Sequence, residues 1–459
     1  MIFGSCAFIN PIFMNLNKGS RMKFGKLFYV LLSTVLVTVF ILISNIFAPI
    51  GTPGVSGSNV VKIYFADYIS PSLQKVINEF NEKYAGQIEV HTINLPFTKF
   101  STNERKELLA RYLRSKSERI DVFSVDQIWV PRFAKWGISM DKYFDPAEKE
   151  GLLNYALETC NYNDTLVAIP LYIDVALLYY RKDILGKLPD YKKIEAELDS
   201  SITWKQFIKL HDEMKAYSNP FYLFQADDYE GLICSFSELM GEQNTPFIVN
   251  GKLKLNTPQA RRAAQLLVDL VQKYKISPKQ VVQFKEDPSY EYFLKKNGVF
   301  LRGWPSFGTH YQNDSTYKYV VKNIGKAPTP HFENSRSSSV YGGWNLMISQ
   351  FSNHVPEAVK FVNYLISPEA QKQLYENGGY LPVNKSIYDD TEFVNEHPDL
   401  KFYERLLKHG YHRPFLERYT SISDILSYYL NEAIKGKISV DKALRTATEK
   451  VNSESILIK

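Results

Sequence analysis

Between residues 60 and 125 the chain alternates apolar strands with amphipathic helices, and this alternation limits the possible folds more than any other feature. Residues 60–65 read as a strand. Residues 72–84 follow as a helix with Leu73, Val76, Ile77 and Phe80 on one side. Residues 88–93 and 120–125 read as further strands, separated by a helix over 104–116. The pattern predicts an α/β, doubly wound sheet. It recurs as helices over 204–217 and 258–274 and a strand over 298–301, and 421–451 reads as amphipathic helix broken at Gly436. The 459 residues are too many for one such sheet, so two lobes are expected, with a ligand cleft at the carboxyl ends of the strands. No repeat of solenoid length is visible.

The first 58 residues are of another kind. They hold Lys18, Arg21, Lys23 and Lys26 and no acid, which leaves +2 of the net +6 for the remaining 401 residues. A basic nucleic-acid face is therefore not indicated. The almost wholly apolar run 27–47 has 21 positions, against about 20 for a membrane-spanning helix. The positive charges before it predict a cytoplasmic start and an extracytoplasmic body. Two readings stand: an uncleaved anchor over 27–47, or a cleaved signal with a cut near Ser56-Gly57-Ser58. Met14 or Met22 is the expected initiator. A Gly/Pro/Ser linker over 51–58 leads into the body. Cys6 lies upstream of the apolar core and makes no lipobox. Cys160 and Cys234 are too few for a disulfide framework.

Five short stretches hold candidate site residues. Asp126 closes the apolar strand Val122-Phe123-Ser124-Val125 and is followed by Trp129. It is either a helix N-cap beside a packed tryptophan or a carboxylate offered at a strand end. Asp174 stands inside the apolar run 169–180, where an unpaired charge costs several kcal/mol, so it needs a backbone donor or a ligand. Leu301-Arg302-Gly303-Trp304-Pro305-Ser306 reads as a strand ending in a corner, with Trp304 serving a ligand or the core. Tyr341-Gly342-Gly343-Trp344 reads as another corner, whose glycines allow close backbone approach or merely a tight turn. Arg413-Pro414 precedes the last helices, with Arg413 a site residue or a surface arginine.

The segment 340–386 adds a buried strand at Leu346-Met347-Ile348 and helices opened by Pro356 and Pro368. Ser367 caps the second helix and Gly378-Gly379 stops it. This segment resembles one found late in the family-1 extracellular solute-binding proteins, the maltose- and trehalose-type receptors of sugar ABC importers. The order and spacing of the five stretches match that family across 60–451. The run 102–109, followed by Lys116-Ser117 and Asp121-Val122-Phe123, is similar to its early helix.

The resemblance implies a two-lobe periplasmic-binding-protein-like fold of type II. Residues 1–58 would be stub, anchor or signal, and linker. Lobe 1 would hold 59–173 plus 340–392, and lobe 2 would hold 174–339 plus 393–459, with crossings near Asp174 and Val340. Arg105, Asp126, Tyr172, Asp174, Trp304, Gly343, Trp344 and Arg413 would line the cleft. Trp304 and Trp344 would stack on sugar, while Asp126 and Asp174 would accept hydroxyls from opposite lobes. The family often has an acid in its first loop where this chain has Ile69-Ser70-Pro71, so Asp67 or Tyr68 would stand in.

The implied ligand is a carbohydrate, a di- or oligosaccharide, delivered by a monomer to integral-membrane permease subunits without cofactor, metal or catalysis. Two alternatives share parts of this reading. A ligand-sensing domain of the same fold would signal through a separate membrane partner. A glycoside hydrolase would use Asp126 and Asp174 as its acid/base pair, yet no hydrolytic or phosphate-binding motif accompanies them. His409 and His412 flank Gly410 without a third metal ligand.

Overall fold

The computed structural model describes residues 60–96, 102–116, 119–214, 220–312 and 314–453. Cys6, the apolar run 27–47 and the linker lie outside them. Among the described residues no helix is long and apolar enough to cross a membrane.

Two mixed sheets organise the body. In the first, strands β1 (Val61–Asp67), β2 (Ile88–Asn94) and β3 (Val122–Asp126) run parallel, with β1 in the middle. Helix α1 (Pro71–Lys83) returns the chain from β1 to β2. Ser70 caps it by accepting from the Leu73 amide, and Leu73, Val76, Ile77 and Phe80 are buried as their spacing predicts. Helix α2 (Thr102–Ser115) leads toward β3. Three later strands extend this sheet. β4 (Ile169–Val175) pairs with the long β9 (Ser339–Ile348), and β9 pairs antiparallel with β3. The short β10 (Gly410–Tyr411) closes the order β10-β9-β3-β1-β2, with β4 on the other side of β9.

The second sheet runs β8 (Ile324–Ala327), β5 (Leu177–Arg181), β7 (Phe300–Gly303), β6 (Tyr222–Leu223). The chain leaves the first sheet at Val175 and enters the second at Leu177, with only Ala176 between. It comes back between Ala327 and Ser339. Helices α3 (Glu230–Gly241) and α4 (Pro258–Gln272) pack with the closing helices α5 (Tyr419–Ile434) and α6 (Val440–Asn452). Gly436 breaks the closing pair at a φ of +77°.

One expectation fails here. Tyr341-Gly342-Gly343-Trp344 is no corner: the whole of β9 is strand, and every residue in it is buried. Gly343 absorbs a φ of +128° within the strand, and the register to β4 slips between Trp344 and Asn345. Such a bulge aims neighbouring side chains without ending the strand. The helices after it begin and stop as read: Ser367 accepts from the Ala370 amide, and Gly379 ends its helix in the left-handed region. Cys160 and Cys234 are buried and unbridged.

Candidate ligand-binding site

Strand β9 is the spine of the site. Its register sets Trp344 against Asp126 on one side and Tyr172 on the other, and Gly342 against Asp174. Directly opposed residues share a sheet face, so Asp126, Trp344, Tyr172, Gly342 and Asp174 form one surface. The two aspartates thus belong to one sheet and not, as expected, to opposite lobes, because β4 pairs with β9 through Val175. β1 and β3 end at Asp67 and Asp126, so their carboxyl ends deliver acids to it. Gly342 keeps the surface open. A Cβ there would lie 3.0 Å from the Trp304 ring and 3.1 Å from the Asp174 Cβ. The glycine thus lets a tryptophan of the second sheet meet an aspartate of the first.

Three carboxylates face this region in three different states. Asp67 accepts from Arg105 at 3.2 Å, and the Arg105 guanidinium lies 4.3 Å from the Trp344 ring centroid. Burial raises the Asp67 carboxyl, and Arg105 opposes that rise. Asp126 accepts from the Ile128 amide and from Arg413, each at 3.2 Å. It is therefore the expected N-cap, of a short 3-10 turn, and an ion-pair partner as well. Trp129 beside it is core, 1% exposed.

Arg413 is no surface residue, being buried and clamped between Asp126 and Glu230, the latter at 2.7 Å. Glu230 also accepts from Tyr419 at 2.8 Å and from the Ser423 hydroxyl. Asp174 differs from both acids. Its Oδ1 is buried with no hydrogen-bond donor, and burial, reinforced by the Asp126 charge, pushes its carboxyl up to about 7.

A narrow pocket opens beside this surface, lined by Asp67, Tyr68, Tyr172, Trp344 and Tyr380 with Leu73, Leu171 and Leu374. Tyr172 and Tyr380 meet at 4.5 Å between ring centroids. The eight expected residues thus gather around β9, with Tyr172 and Trp344 lining the pocket, Arg105 against Asp67 and the Trp344 ring, and Arg413 behind Asp126. Tyr380 and Glu230 were not foreseen. Tyr380 directly follows the Gly378-Gly379 helix stop, which was the available signal; Glu230 merely opens an apolar helix and carried none. His412 pairs with Glu158 at 3.2 Å, and no group among the described residues is arranged to hold a metal.

The sequence profile of the family described as bacterial extracellular solute-binding protein matches residues 66–372. The chain belongs to that family. A maltose-bound protein of T. maritima, MalE3, is 26% identical, with a TM-score of 0.77 over 85% of this chain and 99% of its own. A solute-binding protein of Thermotoga lettingae bound with α-D-tagatose is 21% identical, with a TM-score of 0.73 over 86% of this chain and 98% of its own. A probable ABC transporter-binding protein of Deinococcus radiodurans is 24% identical over 78% of this chain and 85% of its own length. The fold is the two-lobe α/β architecture of such binding proteins.

Proposed function

We propose that this solute-binding protein captures a neutral carbohydrate between its lobes and delivers it to the membrane permease of an ABC importer. The observation that carries the reading is the Asp174 oxygen, buried without a donor beside Trp304 and Tyr172. A sugar would supply what this oxygen lacks. Its hydroxyls donate to a carboxylate, and its C–H faces lie on Trp304, Trp344 and Tyr172. Charge-assisted hydrogen bonds of this kind are about twice as strong as neutral ones, and expelling water on closure strengthens them. Solved relatives holding maltose and tagatose support the ligand class.

Within this reading, the lobes hold 59–173 plus 340–392 and 174–339 plus 393–459, save that Asp174 and Val175 stay with the first sheet, and the protein acts as a monomer. Asp174 binds rather than cleaves, because Asp126, the partner a hydrolase would need, is already engaged by Arg413 and the Ile128 amide. The run 27–47 would hold the body at the outer face of the cytoplasmic membrane.

Titrating the purified protein with maltose and α-D-tagatose while following heat release and tryptophan emission tests the core claim. Saturable binding of either sugar with no product is the expected result. Turnover of a bound glycoside, abolished by Asp126→Asn, would reverse it. Fractionation tests the tether: a mature chain recovered soluble and starting near Asn59 would exclude the anchor and leave export intact.

A further inference from the structure

Each sheet brings one tryptophan to the site, and each tryptophan has an arginine at its ring. Arg105 stands 4.3 Å from the Trp344 centroid, and Arg302 stands 4.5 Å from that of Trp304. The two arginines are anchored alike, Arg105 by Asp67 and Arg302 by Glu238.

The second set is the more tightly built. Arg302 is fully buried and donates to the two Glu238 oxygens at 2.7 and 3.4 Å. A third bond, at 3.1 Å, goes to Gln225 Oε1. Gln225 in turn donates to the Arg302 carbonyl at 3.0 Å and to Ser289 at 2.8 Å. These bonds fix the plane of the guanidinium, a flat group that stacks on aromatic rings. The Trp304 backbone is held as well, its carbonyl accepting from Tyr179 at 2.7 Å and its amide donating to Tyr290 at 3.1 Å. Trp304 keeps part of its surface open, packing only partly against Ala176, Cys234 and Val340.

A fully buried arginine cannot itself reach a ligand. We propose that Arg302, clamped by Glu238 and Gln225, is a positioning residue that presets the ring plane of Trp304 for stacking on the ligand. The proposal rests on the sugar-binding reading for its ligand, but the preset plane is a property of the ligand-free protein. A ring held beforehand loses less side-chain freedom on binding, which is the source of the gain.

The test compares full-length wild type with Arg302→Lys, Trp304→Phe and the double variant. Lysine keeps the charge and loses the flat face. Acrylamide quenching of emission, taken as wild type minus Trp304→Phe, isolates the Trp304 contribution. Arg302→Lys is expected to raise the quenching of that contribution at least about twofold, with no change in the Trp304→Phe background. Maltose affinity should fall about 2- to 12-fold on Arg302→Lys, the span for one side chain immobilised only on binding, and only while Trp304 is present. A merely structural arginine would lower stability and leave the Trp304 signal of the folded variant unchanged, which would overturn the proposal. So would an Arg302→Lys loss of maltose affinity that persists undiminished in the Trp304→Phe background.

Should Arg302→Lys fail to fold, Glu238→Gln loosens the same clamp while keeping its shape, and the same quenching result decides. Wild type that binds neither maltose nor tagatose would count against the transport reading; the quenching comparison would still decide the role of Arg302.

Discussion

Asp126 and Asp174 lie in neighbouring rows of one sheet face, yet they meet opposite surroundings. Asp126 accepts from a guanidinium and a backbone amide. Asp174 has a buried oxygen with no donor and, among the described residues, no cation at ion-pair distance. A buried carboxylate with a cation belongs to the fold, because removing either partner strands the other. A buried carboxyl left without a donor burdens the fold and is tolerated where a ligand completes it. On the proposed sugar-binding reading, the same residue type, with β9 between the two, serves architecture in one case and recognition in the other.

The largest expected effect breaks the architectural half of this comparison. Arg413→Ala leaves Asp126 and Glu230 buried together without their shared cation. It should cost about 3–5 kcal/mol of stability in urea denaturation, the usual result of breaking a buried pair. A loss under about 1 kcal/mol would mean that Asp126 is not held by this arginine, and the contrast with Asp174 would collapse.

Gly343→Ala comes next. Its φ of +128° is strained for any side chain, and a Cβ would lie 2.5 Å from the Tyr172 carbonyl oxygen. A cost of about 1–3 kcal/mol is expected from the backbone alone, together with weaker sugar binding, because β4 carries both Tyr172 and Asp174. Normal binding at full stability would show that the bulge does not set their position.

The sequence made much of this legible. Strands and helices followed from periodicity, and the buried face of α1 was read residue by residue. Asp126 gave a signal of its own, an acid closing an apolar strand, whereas Asp67 was expected only through the family resemblance; both end strands of the first sheet. What failed was a local rule applied to a non-local strand. Gly-Gly is strong turn punctuation, but β9 is held on both sides, so a positive φ becomes a bulge within a strand. The end of β9 was read as strand, but its antiparallel pairing was invisible to strand–helix alternation, which signals parallel pairing. The state of Arg413 was unreadable for a simpler reason: its partners lie 287 and 183 positions away. No local pattern could distinguish it from a surface arginine.

The smallest effect sharpens the other half of the comparison. The Asp174 carboxyl rises from 3.8 to about 7 in the folded protein, through burial and then the Asp126 charge. The other titratable groups that sense it are Tyr172, Tyr380 and Tyr403, none of them cationic. Between about pH 4 and pH 7 the unfolded chain has released this proton and the native chain keeps it. The native state then binds more protons, so this residue lowers stability as pH rises through that window and lowers it no further above it. Asp174→Asn removes that loss, so the ligand-free variant at pH 8 should be at least as stable as wild type. Sugar binding should respond in the opposite sense. Wild-type affinity should fall as pH drops below about 7, where the carboxylate takes up its proton and accepts hydrogen bonds less well. The Asn variant should bind about tenfold more weakly at pH 8, the weight of one charge-assisted bond exchanged for a neutral one, and its affinity should lack the step near pH 7. A less stable Asp174→Asn protein with unchanged affinity would assign Asp174 to the fold and remove the distinction from Asp126.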